Sequence, residues 1–379
     1  MKLPVYLDYN ATTPIDPAVL AAMRPYLNEH FGNPASTHAY GAGPADAVAA
    51  ARGQVAALLG CGTDELIFTA SASESDNLAI KGAAFALREQ GRHLITSAVE
   101  HPAVLNACRY LEQEWGFALT VLLVGADGRV DPDDVRRAIR PDTILISIMH
   151  AQNETGVLQP VAEIGRIARE RSILFHVDAA QSTGKIPVDV TALHCDLLTV
   201  AGHKLYAPKG VGALYIRDGV KLHSLIHGAG YEGGRRAGTA NVPYVVGLGK
   251  ACELAGEKLA GGEAERQRRL RDRLHAALAE RLPVRLNGHE TERLPNTLNI
   301  SIPGVVGNDL LDAVPDVAAS TGSACHAGVS EPSETLLAMG VPPELALGVL
   351  RLSLGRYTTA DEVDFAAERL CAAAMSQIA

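Results

Sequence analysis

The chain has 379 residues, 47% of them hydrophobic and 20% charged, and its 34 basic and 43 acidic residues give a formal net charge of −9 at pH 7. The apolar share is ample for a packed core and excludes a disordered or collagen-like chain, while the acidic balance argues against a nucleic-acid partner. Because no apolar stretch approaches the roughly 20 residues that cross a bilayer and the N-terminus does not resemble a signal peptide, we expect no membrane association and a cytoplasmic protein of about two domains.

Short apolar runs alternate with longer helical patterns between about residues 65 and 216. The runs are rich in β-branched residues and often apolar throughout, which is typical of strands covered by helices on both faces. We predict strands at 66–69, 93–97, 118–124, 143–149, 173–178, 197–201 and 212–216, and helices at 74–90, 103–114, 132–140 and 161–171. This alternation indicates βαβ units and an α/β fold with a mainly parallel, seven-stranded sheet.

The pattern changes after about residue 245. A long charged helix is predicted over 247–281, followed by short mixed elements at 284–287, 297–302, 309–314, 320–330 and 351–354 and a final helix from Ala360. We therefore predict a large domain over 14–246 and a smaller α+β domain formed by 247–379, with the N-terminal arm, 1–13, packing beside it.

A carboxylate and a lysine lie at the carboxyl ends of two neighbouring predicted strands. Asp178 ends the strand 173–178, and Lys204 comes 26 residues later, just after the strand 197–201. Because parallel strands present their carboxyl ends at one edge of a sheet, both side chains can reach one crevice. An Asp that pairs with a pyridinium nitrogen and a Lys that forms a Schiff base are the two groups that pyridoxal 5'-phosphate (PLP) requires. An unrelated surface Asp and Lys is the alternative interpretation of this pair taken alone.

A phosphate site is indicated at the start of the first predicted helix of the sheet region. The strand 66–69 leads into a segment rich in serine, 70–77, and then into an apolar helix. Ser73 is predicted to be the N-cap, where its hydroxyl and the neighbouring N–H groups can bind an anion. A simple capping serine is the alternative. The three signals together, in sheet order, favour a PLP site.

The six cysteines lie at positions 61, 108, 195, 252, 325 and 371. No pair has C-x-x-C spacing, so the sequence predicts no metal site, no thioredoxin-type pair and no secreted disulfide framework. Most of them, Cys108 and Cys195 in particular, are expected to be small buried hydrophobic residues. Cys325 differs, because it lies in a run of small and polar residues, 320–330, whose composition is typical of a mobile loop.

Nine short segments spread over almost the whole chain form a further pattern, at 6–14, 31–34, 68–77, 100–102, 153–156, 176–181, 202–204, 323–325 and 351–356. In content and order they resemble the cysteine desulfurases, which are fold-type I PLP enzymes of the class V aminotransferase group, with selenocysteine lyases as close relatives. The resemblance implies a large domain carrying the seven-stranded sheet, a smaller C-terminal α+β domain, PLP as cofactor and a homodimer.

The resemblance also implies roles for individual residues. Lys204 would bind the cofactor covalently and later move a proton, Asp178 would pair with the pyridine nitrogen, and His101 would stack on the ring. Gln181 would donate a hydrogen bond to the ring's phenolic oxygen. The remaining implied contacts are Ser71, Ala72, Ser73 and His203 with the phosphate, Thr239 with the phosphate across the dimer interface, Asn153 with cofactor and substrate, and Asn10 and Arg351 with the substrate carboxylate.

Cys325 would be the nucleophile that takes the sulfur. The implied reaction converts L-cysteine into L-alanine and leaves a persulfide on Cys325, from which an acceptor protein removes the sulfur. Iron–sulfur cluster biosynthesis, tRNA thiolation, another cofactor pathway and a dedicated biosynthetic partner all stay open as destinations. So do three other functions: selenocysteine lyase, another PLP reaction such as transamination, and a sulfur-relay scaffold without turnover.

Several positions depart from the family pattern. Ala201 stands where a serine is usual, which removes one hydroxyl from the implied phosphate site and predicts weaker cofactor retention. The other departures are Ser71 for Gly, Ser73 for Thr, Gln152 for Asn, Tyr231 for His or Gln, and Gly233 for Arg. None of them removes a catalytic group, so activity is still expected.

Overall fold

A computed structural model describes residues 4–322 and 331–378. Its strands are β1 Val5–Tyr6, β2 Leu66–Thr69, β3 His93–Ser97, β4 Ala118–Leu122, β5 Thr143–Ser147, β6 Leu174–Asp178, β7 Leu197–Ala201, β8 Gly212–Ile216, β9 Arg285–Leu286, β10 Thr297–Ser301, β11 Val317–Ala318 and β12 Val349–Ser353. Its α-helices are α1 Pro17–Asn28, α2 Ala39–Leu59, α3 Ala72–Leu87, α4 Pro102–Trp115, α5 Pro132–Ala138, α6 Val161–Glu170, α7 Val242–Ala260, α8 Glu263–Ala279, α9 Gly307–Asp312, α10 Glu334–Ala338, α11 Pro343–Leu347 and α12 Ala360–Ile378.

The main sheet has seven strands in the order β2-β8-β7-β6-β5-β3-β4. Neighbouring strands are parallel except at β8, which is antiparallel to both β2 and β7. The predicted seven-stranded, mainly parallel sheet is therefore confirmed. The chain runs from β3 to β4 on one side of β3 and then to β5 on the other side, so the strand order reverses at β3. Sheets of this kind bind ligands where the strand order reverses.

Helices cover both faces of this sheet, as the apolar strands require. Ile67 of β2 packs in a core with α3 and α4 on one face. The next residue, Phe68, packs with α1, α2, α6 and α7 on the other face. Since successive strand side chains point to opposite faces, a strand between two helical layers is apolar at every position. β2, β3, β5, β7 and β8 are buried throughout.

The predicted helix over 247–281 is wrong as a single element. The structure has two helices there, α7 and α8, which are separated by Gly261 and Gly262. Gly262 has φ of +81°, a left-handed conformation that interrupts a right-handed helix and that side chains with a Cβ rarely adopt. The break lets α7 pack on the main sheet while α8 packs with α12 on the second core.

A second core is built around the antiparallel sheet β12-β10-β9. β1 pairs in parallel with β11, and Leu7, which follows β1, is fully buried in this core. The N-terminal arm therefore packs beside the C-terminal part, as predicted, while the domain boundaries at 13/14 and 246/247 stay a prediction. In the described ranges no helix is both long and apolar enough to cross a membrane.

Candidate active site

A cavity of about 320 Å³ lies where β3, β5, β6 and β7 end. A larger groove of about 710 Å³ opens between α2 and α7, but its lining is mostly apolar and includes none of the predicted site residues. The smaller cavity brings together these predicted site residues: Ser71, Ala72, Ser73, His101, Asn153, Asp178, Gln181, His203 and Lys204.

Four further predicted residues are not among those that line this cavity. Asn10 and Arg351 lie beside it, because Asn10 contacts Lys204 and Arg351 contacts Asn153. Thr239 is exposed. Cys325 lies outside the described residues.

Lys204 stands in a short turn immediately after β7. The turn begins at Gly202, where a Cβ would lie 2.8 Å from the Val211 carbonyl oxygen, so a larger residue would displace the neighbouring strand. The Lys204 Nζ donates to the carbonyl oxygen of Asn10. Burial, assisted by Arg351, lowers the pKa of Lys204 to about 8, although Asp178 acts in the opposite direction. The lysine is therefore more readily available as a neutral amine than one in water.

Asp178 is the last residue of β6 and is buried. Its Oδ1 accepts a hydrogen bond of 2.9 Å from the Ala180 N–H. Burial raises the pKa of Asp178, opposed by that hydrogen bond and by the nearby His101 and Lys204. A buried carboxylate is stabilised as an anion by an adjacent cation, so the position suits a pyridinium group.

His101 follows β3 and is the N-cap of α4. Its Nδ1 accepts a hydrogen bond of 3.1 Å from the Ala103 N–H, which places the proton of the neutral ring on Nε2. Partial burial lowers the pKa of His101, with Asp178 opposing and Lys204 adding to the shift. The ring therefore stands neutral at the mouth of the cavity.

The helix that was predicted to bind phosphate begins two residues earlier than the sequence suggested. The N-cap of α3 is Ser71, and the prediction of Ser73 is wrong. Ser71 is in extended conformation, and its Oγ accepts from the Glu74 N–H at 3.1 Å, which caps the helix. The Glu74 side chain accepts from the N–H of Ala70, the residue before the cap, at 2.9 Å. Ser73 lies in the first turn, whose N–H groups precede the first intrahelical bond and suit an anion.

His203 joins the same end of the cavity. Its Nδ1 lies 3.2 Å from the Thr12 Oγ1, and its carbonyl oxygen accepts from the Thr13 N–H at 2.9 Å. Burial and the nearby lysines, Lys204 first, lower the pKa of His203 to about 4. The ring is therefore a neutral hydrogen-bonding group and adds no charge at neutral pH.

The predicted substrate-binding residue Arg351 lies in β12. Its Nη2 donates to the Asp8 Oδ1 at 2.7 Å, and its Nη1 donates to the Asn153 carbonyl oxygen at 3.3 Å. Arg351 is buried, and its Nε has no hydrogen-bond partner among the residues that the structure describes. The ion pair with Asp8 was not predicted, and it means that the guanidinium already has a carboxylate partner on one side.

Two buried carboxylates near Asp178 also escaped the sequence analysis. Asp76 lines the cavity, and its Oδ1, 3.6 Å from the His176 Nε2, has no hydrogen-bond partner within residues 4–322 and 331–378. Glu100 accepts from the Ser97 Oγ at 2.6 Å, and burial raises its pKa to about 8. Both lie in the motif segments 68–77 and 100–102, but their burial cannot be seen in a sequence.

The described cysteines are unsuited to act as nucleophiles. Cys108, Cys195 and Cys252 are buried, which confirms the packing interpretation of the first two. Burial raises the pKa of Cys252 to about 12, and burial also raises the pKa of Cys61, Cys108, Cys195 and Cys371. A high pKa keeps the thiol protonated and unreactive.

The donor set of the cavity fits PLP. The helix N-terminus and His203 offer hydrogen-bond donors to a phosphate, Asp178 offers an anion to a ring nitrogen, and Lys204 offers an amine to an aldehyde. The orphaned Asp76 oxygen in the lining is a buried acceptor that a polar ligand would help to satisfy. These groups come from the ends of β6 and β7 and from the start of α3, as a small polar cofactor requires.

Comparisons with known proteins agree with this site. The family model "Aminotransferase class-V" matches residues 5–365. A protein named cysteine desulfurase IscS from Anaeromyxobacter dehalogenans is 51% identical over 97% of this chain and 91% of its own length. A solved structure titled NifS-like protein has a TM-score of 0.92 and 37% identity, covering 98% of this chain and 99% of its own. Another, titled SspA in complex with cysteine, has a TM-score of 0.83 and 38% identity, covering 93% and 99%.

Proposed function

The chain belongs to the class V aminotransferase family and, within it, to the cysteine desulfurases, and we propose that it uses PLP to convert L-cysteine into L-alanine and passes the sulfur to an acceptor protein. The single observation that carries this proposal is the meeting of Lys204 and Asp178 in one cavity, at the ends of adjacent strands and beside the N-terminus of α3. The names of the relatives do not favour the selenocysteine lyase alternative.

When bound, PLP supplies an electron sink for the electron pair that stays on the substrate as its α-proton leaves. The residues of this chain prepare that chemistry. Asp178 keeps a proton on the ring nitrogen, because a buried carboxylate is stabilised by an adjacent cation. The first turn of α3 and His203 would bind the phosphate, His101 would contact the ring and Gln181 would donate to the phenolic oxygen.

Lys204 moves the proton. With a pKa lowered to about 8, a fraction of its amine is neutral at pH 7 and can accept the α-proton at Nζ. The same nitrogen returns a proton when alanine forms. Arg351, together with Asn10 and Asn153, receives the substrate carboxylate, which fixes the α-carbon near Nζ.

The sulfur leaves through Cys325, which lies outside the described residues. Its thiolate attacks the substrate's sulfur, so that an S–S bond forms while the Cβ–S bonding pair returns to the carbon framework, which is then protonated to alanine. The acceptor protein takes the sulfur from the persulfide, and iron–sulfur cluster biosynthesis is the use we propose for it. We further propose a cytoplasmic homodimer in which Thr239 reaches the phosphate of the partner subunit's site.

The test combines product analysis with site mapping. The protein loaded with PLP is expected to give one alanine per sulfur removed from L-cysteine, and Cys325→Ala is expected to abolish this turnover. Cys108→Ala, the same substitution at a buried cysteine, is the matched control and should retain it. Borohydride reduction followed by peptide mapping should place the cofactor label on Lys204. Label on another residue, or full cysteine turnover by Cys325→Ala, would overturn the proposal.

A further inference from the structure

A second buried lysine lies beside the cavity and has no role in the proposed reaction. Lys185 is 9% exposed and follows Gln181 by four residues. Together with Lys204 it lines a separate small cavity of about 20 Å³, which has room for about one water molecule. Burying an amine so close to another amine is costly, so its contacts call for an explanation.

Both hydrogen bonds of Lys185 run to groups of the active site. Its Nζ donates to the Gln181 Oε1 at 2.7 Å and to the Asn10 Oδ1 at 2.9 Å. On the other side, the Gln181 Nε2 donates to the Asn10 carbonyl oxygen at 3.0 Å, and Lys204 donates to that same oxygen. Lys185, Gln181 and Asn10 therefore contact one another in a ring of hydrogen bonds, and Asn10 also contacts Lys204.

These contacts determine which way the Gln181 amide faces. A side-chain amide has one accepting end and one donating end, and only its partners decide between the two orientations. A lysine at 2.7 Å supplies an N–H, so the amide must turn its oxygen toward Lys185. Its NH₂ group then faces the Asn10 carbonyl and the cavity, whose lining includes Gln181.

The protonation state of Lys185 does not alter this conclusion. Burial, assisted by Lys204 and Arg351, lowers the pKa of Lys185. An ammonium has three N–H groups and can only donate. A neutral amine has two N–H groups, enough for both Gln181 and Asn10, and a lone pair that could accept. The Asn10 carbonyl can only accept, so it holds the NH₂ end of Gln181 while Lys185 donates to the oxygen end.

We propose that Lys185 is a positioning residue that fixes the Gln181 amide with its NH₂ group toward the cavity, so that Gln181 can only donate a hydrogen bond to the cofactor. The inference rests on the proposed PLP site. Without Lys185, only the Asn10 carbonyl still favours this orientation, and an amide that turned its oxygen inward would face the phenolic oxygen of PLP as a second acceptor. Lys185 therefore acts on the cofactor through Gln181 and touches neither cofactor nor substrate.

The test measures PLP binding and its visible absorbance band in Lys185→Met. This variant keeps a side chain of similar length and removes both donors. We expect the dissociation constant of PLP to rise on the order of tenfold and the band to shift, because a hydrogen bond to a charged oxygen is weakened. Lys250→Met, the same change at a partly exposed lysine paired with Glu253, should leave both quantities unchanged.

The same substitution in a Gln181→Met protein separates a positioning role of Lys185 from a general structural role. If Lys185 acts through Gln181, then in a Gln181→Met protein the further change Lys185→Met should alter the PLP dissociation constant less than twofold. If Lys185→Met does not fold, Lys185→Gln is measured in both backgrounds by the same criteria. Additive effects, or an unchanged band in the single variant, would overturn the inference while leaving the proposed function intact. A wild-type protein without a PLP band would overturn both.

Discussion

The cofactor side and the substrate side of the site are built in different ways. On the cofactor side, Asp178 ends a strand of the main sheet, and His101 and Lys204 follow strands of the same sheet, so the backbone delivers them to the cavity. On the substrate side, Arg351 comes from a strand of the second sheet and is held by Asp8, 343 residues away along the chain. Sheet topology therefore places the first set, whereas contacts between distant segments place the second.

This difference has a consequence for function. Groups placed by strand ends are aligned before any ligand arrives, which is the condition for strong electrostatic stabilisation of a transition state. Arg351 is instead already paired with a carboxylate of the protein, so a substrate carboxylate must share or exchange that partner. We therefore expect changes on the cofactor side to affect chiefly kcat and changes on the substrate side to affect chiefly KM.

The largest expected effect is that of Asp178→Asn on the cofactor side. An amide has the shape of the carboxylate but cannot hold a proton on the ring nitrogen, so kcat for alanine formation should fall by about 10²–10³-fold. Asp189→Asn is the matched control, because Asp189 accepts hydrogen bonds from Thr191 and Ala192 far from the cavity and asparagine serves such a cap equally well. An unchanged kcat with a raised KM would contradict the expectation that cofactor-side changes act chiefly on kcat.

Arg351→Lys tests the substrate side. Lysine keeps the positive charge but loses the planar fork, so KM for L-cysteine should rise by about 10–100-fold with a smaller change in kcat. Arg356→Lys, at an arginine that pairs with Asp16 and stacks over Tyr206, should leave KM unchanged. Steady-state kinetics at saturating PLP separate the two constants. An equal loss in kcat without a change in KM would contradict the assignment of Arg351 to the substrate carboxylate.

The pH dependence of PLP capture tests whether burial tunes Lys204 on the cofactor side. Only a neutral amine can attack the PLP aldehyde, and a pKa of about 8 for Lys204 means that the neutral fraction rises with pH through that value. Between pH 7 and pH 9 that fraction grows from about one tenth to about nine tenths, so the capture rate should rise about tenfold. Stopped-flow absorbance of apoprotein mixed with PLP measures this. A midpoint near the ordinary lysine pKa would show that burial does not tune Lys204.

Where an apolar run and the residues that bound it indicated the same element, the sequence was sufficient to predict that element. β2, β3, β7 and β8 begin and end where predicted, because each run is bounded on at least one side by a charged residue: Glu65, Arg92, Asp196 and Arg217 respectively. α1 and α2 were missed, since α2 is rich in alanine and contains Gly41, Gly43 and Pro44, which obscure a helical period. The two-glycine break between α7 and α8 was overlooked inside a long charged pattern.

For the site, prediction succeeded on the cofactor side and was incomplete on the substrate side. Asp178 and Lys204 could be paired because Asp178 ends one strand and Lys204 follows the next. The ion pair between Asp8 and Arg351 and the contacts of Lys185 join segments that no spacing rule connects. Such pairs depend on how two cores pack together, which periodicity along one chain does not encode.

The smallest expected effect comes from restoring a hydroxyl at Ala201. This residue ends β7, is buried and lines the cavity near His203, where a serine would add one donor for the phosphate. A single hydrogen bond to a charged group is worth about 1.5–3 kcal/mol, but the hydroxyl must also give up water, so Ala201→Ser should lower the PLP dissociation constant by only about three- to tenfold. Ala168→Ser, at a buried position in α6 that does not line the cavity, should leave PLP affinity unchanged. If fluorescence titration shows no gain for Ala201→Ser, the phosphate does not lie at the end of β7, and the cofactor side is oriented differently from the arrangement proposed here.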